Sequence, residues 1–221
     1  MVKVITEIAA QKHNRQRLNI SLDGAYAFSL DRLTAAWLKP GRKLSDAEIE
    51  ALLKKDALES AYQRALHFLS FRSRSQAEME GFLLGKGFTP AIVEPILLRL
   101  NEEGLLNDER FSADWIENRV TFRPRSQNQL RAELRHKGVA ESTAEQALTT
   151  AGLDESQLAL AAGRKMLHRY ETLPWETFRA RLGNALLRRG FTFTLVNATL
   201  KQLWAESHNQ TQENLLENRG L

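Results

Sequence analysis

The run Arg72–Phe88, RSRSQAEMEGFLLGKGF, returns at Arg123–Val139 as RPRSQNQLRAELRHKGV, with seven of 17 positions identical. An internal repeat restricts a fold more than composition does, because each copy must be one supersecondary unit packed on its neighbours. Gly87 and Gly138 are 51 residues apart, and a further 52 reaches Gly190. Each of these glycines follows a basic residue and precedes an apolar one, in GKGF, HKGV and RRGF. Upstream, Met79/Leu83, Leu130/Leu134 and Leu182/Leu186 are i,i+4 pairs, the buried stripe of a helix. Downstream, Ile92, Val93, Ile96, Leu97 and Leu100 recur as Leu195, Val196, Leu200 and Leu203. The middle copy holds the smaller Ala144, Ala147 and Leu148 in the same phase.

Local signals set the ends of these helices. Ser75-x-x-Glu78 and Ser126-x-x-Gln129 have the form of capping boxes. Gly87, Gly138 and Gly190 fit the position just past a helix, where a left-handed residue is needed. Thr89-Pro90 puts a hydroxyl at an N-cap and proline in the first turn. A further helical stretch precedes each copy, at Leu58–Phe71, Phe111–Thr121 and Leu158–Tyr170. The unit is therefore helix–helix–turn–helix, about 50 residues long.

The start of the chain follows a different rule. Lys3–Ile8 and Arg17–Leu22 alternate as strands do, and Asp23-Gly24 predicts a hairpin into Ala25–Leu30. After the break at Trp37–Gly41, Ser45-x-x-Glu48 opens a helix to about Asp56. The expected fold is mainly α: three tandem three-helix repeats in an elongated curved array, preceded by a small N-terminal β-hairpin module. The expected boundaries are 1–56 for the hairpin-plus-helix module, 57–108, 109–153 and 154–206 for the repeats, and 207–221 for a polar tail.

The chemistry open to such a chain is narrow. Cysteine is absent, which removes disulfides, thiolate catalysis and thiolate-bound zinc. The five histidines show no metal-ligand spacing, and no Gly-x-Ser-x-Gly elbow occurs. GFLLGKG at Gly81–Gly87 has only three residues before its Gly-Lys pair. Gly87 then stands where a phosphate loop needs a hydroxyl. It is read as helix, not as a nucleotide site. No stretch has the length and apolarity of a membrane span, and the first residues lack a signal peptide's apolar region. These features predict a cytoplasmic, cofactor-free monomer that is not an enzyme.

The net charge of +4 is small, but it is segregated. Arg119, Arg123, Arg125, Arg131, Arg135 and Lys137 share their stretch with one acid, Glu133. Arg188 and Arg189 close another acid-free stretch. Lys86, Lys137 and Arg189 end helices, where a cation complements the negative pole. Arg72, Arg74, Arg123 and Arg125 precede helices and so face the positive pole, at a penalty of about 0.3–1 kcal/mol unless an anion meets them. These basic residues are the candidates for contact with phosphates or acidic side chains.

Arg74-Ser75-x-x-Glu78-Met79, Gly104-Leu105-Leu106-Asn107-Asp108-x-Arg110-Phe111 and Glu133-Leu134-x-x-Lys137-Gly138-Val139 together resemble the RecX family of RecA regulators. The resemblance covers about Leu58 to Trp204. Ser112 departs from it, standing where the family usually has alanine, and the third copy keeps little beyond its Leu/Gly framework. The resemblance implies a protein that lies along the RecA–single-stranded-DNA filament and suppresses its ATPase, strand-exchange and coprotease activities. Phase-repeated arginines would meet acidic RecA residues, DNA phosphates or both. The rival reading is a direct DNA-binding module of helix-turn-helix type. Against it, the expected third helices TPAIVEPILLRL and FTLVNATLKQL are apolar and poor in base-reading side chains.

Overall fold

Alternating residues and the two-residue Asp23-Gly24 link build an antiparallel sheet at the N-terminus. Its strands are β1 (Val2–Ala10), β2 (Arg17–Leu22), β3 (Ala25–Asp31) and β4 (Lys43–Ser45), in the order β3-β2-β1-β4. The hairpin closes at the Leu22–Ala25 pair, with Asp23 and Gly24 at φ 50° and 88°. Two successive positive φ values are what a type I′ turn needs. The structure, a computed structural model, describes residues 1–12 and 14–217. His13 and the last four residues of the polar tail lie outside the described residues.

The sheet has one strand more than its sequence pattern predicts. At three residues β4 is too short to show alternation, and it is recruited by pairing Val2–Val4 with Lys43–Ser45. Ile5, Ile20, Leu22, Leu30 and Leu44 form the core of this module, closed by Leu52.

Leu52 belongs to α1 (Asp46–Leu69), which runs as one helix through the expected break near Asp56. Its start is a full capping box: Ser45 N donates to Glu48 Oε2 at 2.8 Å, and Glu48 N donates to Ser45 Oγ at 3.3 Å. Asp56 is buried, not terminal. It accepts from Arg17 at 2.9 Å and from the backbone N–H of Asp31, pinning the helix to the sheet. The C-terminal half of α1 is the first helix of repeat 1.

The remaining helices among the described residues are α2 (Gln76–Gly85), α3 (Pro90–Glu102), α4 (Asp108–Phe122), α5 (Gln127–His136), α6 (Glu141–Ala151), α7 (Glu155–Leu167), α8 (Trp175–Leu187) and α9 (Phe193–Glu217). They form three three-helix units, α1–α3, α4–α6 and α7–α9, each with its own buried cluster. Met79, Leu83, Leu130, Leu134, Leu182 and Leu186 are all fully buried, so the i,i+4 pairs of the sequence are the centres of the three cores. The chain divides into two compact units, Met1–Leu106 and Asn107–Leu221.

The punctuation is partly as expected. Gly87, Gly138 and Gly190 have φ of 88°, 75° and 88°. Phe88 N to Leu83 O and Val139 N to Leu134 O are the six-to-one bonds of Schellman endings. Thr89 stands at the N-cap of α3 without a side-chain cap bond, leaving Pro90 to fix the first turn. Ser126 caps Gln129 N at 3.1 Å, but its own N–H donates to Arg189 O at 3.0 Å. That bond, made to the third repeat, takes the place of the reciprocal half of a capping box. Ser112 is fully buried and donates to Asp108 O at 2.6 Å, so a hydroxyl fits where alanine is the smaller choice.

Candidate anion-binding surface on the second and third repeats

Helix α5 meets basic residues on two faces because Leu130 and Leu134 occupy the third. On one face Glu133 gathers its neighbours. Arg119 Nε and Trp115 Nε1 donate to Glu133 Oε2 at 2.8 and 2.9 Å, and Arg125 Nη1 pairs with Oε1 at 2.8 Å. The Arg119 guanidinium lies 4.0 Å over the Trp115 ring, with the Lys137 ammonium 5.1 Å from the same ring. The carboxylate is thus shared by two guanidiniums and an indole N–H, with only 13% of its side chain exposed. These side chains enclose a depression of about 330 Å³ that also meets Gln129 and His136. On the other face Arg131 pairs with Glu145 and with Asn128, and the bond to Glu145 strengthens its hold on its proton.

Repeats 2 and 3 are joined at this place. Gln127 N donates to Glu155 at 3.1 Å and Gln127 Nε2 to Leu153 O at 2.8 Å, beside the Ser126–Arg189 backbone bond. Gly190 sits so close to Ser126 that a Cβ there would fall 2.4 Å from its Oγ. Arg189 folds back to Met166 Sδ at 2.7 Å and Ala185 O at 3.2 Å. Burial lowers its proton affinity, and Arg125, Arg188 and Arg169 lower it further, against an opposing effect of Tyr170. The Ser126–Arg189 bond brings Arg125, Arg188 and Arg189 to one joint, and the Arg169 N–H donates to the carbonyl of Met166, the residue whose sulfur receives Arg189. Arg169, which stands outside the repeat pattern, is the member that sequence phase could not reveal.

The other candidates are placed differently. Arg72 pairs with Glu78 at 2.9 Å, so the acid that answers it is the third residue of its own helix. Arg74 lies 3.8 Å over the Phe68 ring, which stacks on Phe82 at 4.0 Å, and Lys86 sits 5.4 Å over Phe82. Burial, and secondarily Arg72, weakens the hold of Arg74 on its proton, and its Nε is buried without a hydrogen-bond partner among the described residues. Arg123, Arg135 and Arg188 are exposed and have no ion-pair partner among the described residues. Two of the four arginines set ahead of helices are thus neutralised internally by Glu78 and Glu133, while the Arg123 head is open to a partner. Among the described residues no group of three or more His, Asp or Glu could hold a metal ion, and no helix is long and apolar enough to cross a membrane.

The sequence matches the description "RecX, second three-helix domain" over residues 107–148, the part that bears the Glu133 cluster. It matches the first and third three-helix domains over 61–100 and 154–200, and the RecX N-terminal domain over 3–45. Regulatory protein RecX of Bacillus subtilis (strain 168) is 33% identical over 215 residues, covering 96% of this chain and 81% of that protein. The chain belongs to the RecX family. The corresponding protein of Bacillus velezensis is 32% identical, covering 94% of this chain and 80% of its own. A crystal structure of regulatory protein RecX aligns with TM-score 0.61 at 28% identity, covering 88% of this chain and 97% of that one. A second, RecX from Lactobacillus salivarius, aligns with TM-score 0.56 at 20% identity and shows the fold alone.

Proposed function

We propose that this chain is a cytoplasmic regulator that binds the RecA–single-stranded-DNA filament and inhibits its ATPase, strand-exchange and coprotease activities. The contacts would be phosphates and acidic side chains met by the basic repeats. Membership of a family whose relatives are named regulatory proteins supports the regulatory part. The observation that carries the contact is the joint between repeats 2 and 3, where the exposed Arg188 and an Arg189 bonded only to a thioether and a backbone carbonyl lie beside the Ser126 turn. Like charges held together there lose their repulsion when an anion is seated among them.

The test is RecA ATPase on single-stranded DNA, with and without this protein. Arg123→Glu with Arg188→Glu is the informative variant, because both heads are exposed and neither has an ion-pair partner among the described residues. Arg125→Glu would instead face Glu133 and confound binding with folding. The expected result is weakened suppression with unchanged circular dichroism. Suppression equal to wild type removes these arginines from the interface, and no suppression by wild type itself removes the RecA reading. The rival, direct duplex recognition, predicts sequence-dependent affinity that persists at about 200 mM salt, where purely phosphate-driven binding has fallen steeply.

One observation favours an additional strand contact on repeat 1. A groove of about 750 Å³ is lined by Arg17, Arg64, His67, Phe71, Phe82 and Lys86 together with the acids Asp31 and Glu59, and Phe71 is 69% exposed. Aromatic faces beside cations suit unpaired bases. Phe71→Ala would then weaken single-strand binding while leaving duplex binding unchanged.

A further inference from the structure

We propose that the groove between α4 and α6 is a docking site for a basic protein segment that presents an aromatic or leucine side chain. It goes beyond the RecA reading and does not depend on the arginine surface. The groove has a volume of about 530 Å³ and an apolar floor that includes Ala113, Ile116, Val120, Ala147 and Leu153. That volume falls within the range of pockets that hold organic ligands. The only charged residues that line it are Glu109 and Glu117, both exposed and neither with an ion-pair partner among the described residues.

The sister repeats show what the space is shaped for. Subtracting 51 maps Ala113, Ala147 and Thr150 onto Tyr62, Ile96 and Arg99 of repeat 1. There the Tyr62 ring is buried, Arg99 stacks 3.5 Å over it, and the Tyr62 hydroxyl donates to Glu103. In repeat 3 the position of Ala113, matched by the N-caps Asn107 and Asp154, is the buried Leu160. The same alignment by 51 turns the half-buried Leu58 and Leu66 into Glu109 and Glu117. Where repeat 1 has a ring, a guanidinium and two leucines, repeat 2 has a gap with two carboxylates at its edges.

The placement defines the occupant. Glu109 and Glu117 lie eight residues apart on α4, about 12 Å along the axis, with Ala113 midway. Glu109 also complements the positive end of α4, but Glu117 is two turns further in and gains nothing there. A segment with one apolar anchor and a Lys or Arg on either side matches both the cavity and its rim. An acidic segment would meet two carboxylates with no compensating cation.

The test uses the full chain and a random peptide display library, selected on wild type and counter-selected on Ala113→Tyr, which refills the gap as Tyr62 does in repeat 1. Enrichment of peptides with an aromatic or leucine residue flanked by Lys or Arg is expected. The combined Glu109→Lys, Glu117→Lys variant should weaken the best of them by about tenfold or more. Thr150→Trp closes the groove from the opposite wall if Ala113→Tyr does not fold. Absence of enrichment, enrichment of acidic peptides, or affinity indifferent to both charge reversals overturns the proposal. So does self-association of wild type in sedimentation that Ala113→Tyr abolishes, since the occupant is then a second copy of this chain.

Discussion

Replacing Glu133 by glutamine keeps shape and one acceptor oxygen but removes the charge that binds Arg119 and Arg125. Both pairs measure 2.8 Å, and the three side chains are only 13%, 19% and 31% exposed. Surface pairs of this kind contribute about 0–1 kcal/mol, whereas removing one partner of a buried pair costs about 3–5 kcal/mol. The intermediate burial places the loss between these limits. Two charge-assisted hydrogen bonds are weakened and two guanidiniums are left repelling each other, so about 2–3 kcal/mol is expected. For a chain of 221 residues that is a fall in Tm of roughly 4–12 °C. The assay is thermal unfolding by circular dichroism, together with the Trp115 indole N–H resonance in NMR, because the indole loses its carboxylate partner in the same event. Freed from Glu133, Arg119 and Arg125 should bind phosphate-bearing ligands more tightly than in wild type, with a steeper salt dependence. A variant as stable as wild type would show that the pairs contribute nothing net, and unchanged anion affinity would show that Glu133 does not compete with an outside anion.

Three further outcomes follow from packing and charge. Gly163→Ala in α7 places a Cβ 2.3 Å from Leu203 Cδ1, and Leu203 is fully buried. Overpacking of about 1–3 kcal/mol should outweigh the gain of about 1 kcal/mol in helix propensity, so urea unfolding shows a net loss. Gly190→Ala combines a φ of 88° with the approach to Ser126 and should destabilise the joint between repeats 2 and 3. Hydrogen exchange at the Ser126 amide reads this directly. Glu103 accepts from Tyr62 and pairs with Arg99, and these contacts, Tyr62 first, hold its carboxyl below the usual range. A depressed folded-state value means the stabilisation is present above about pH 4.3, the unfolded value, and is lost as pH falls through the folded one. The stability difference between wild type and Glu103→Gln should therefore shrink on acidification below that point.

The repeat period, the i,i+4 leucines and the three glycine stops were legible because each rests on local spacing, which folding preserves. The continuity of α1 was not. Asp56 resembles a helix end by composition, and only its contacts with Arg17 and the Asp31 amide explain an acid in mid-helix. The same limit applies to the arginines. Their phase predicts where each leaves the backbone, but Glu78 lies six residues from Arg72 while Glu133 lies eight from Arg125 and fourteen from Arg119. Which arginine is neutralised is decided by tertiary partners, and Arg169 joins the cluster with no repeat position to announce it.

One aligned position shows how the copies have parted. Phe82, Glu133 and Ala185 are separated by 51 and 52 residues, and each lies one turn before the terminal cation Lys86, Lys137 or Arg189. With phenylalanine there, the helix-ending cation and Arg74 are taken up by an aromatic stack. With glutamate, two arginines and a tryptophan converge on a carboxylate. With alanine there is no side chain to receive the cation, so Arg189 turns to a thioether and a backbone carbonyl and stays uncompensated by any acid among the described residues. The excess positive charge therefore collects where repeat 2 meets repeat 3. Ala185 is 5% exposed and part of the repeat 3 core, so Ala185→Glu would set a carboxylate beside Arg189 at an overpacking cost of about 1–3 kcal/mol. Urea unfolding should show that loss, and affinity for a phosphate-bearing ligand, measured on the folded variant, should fall without removal of a single arginine.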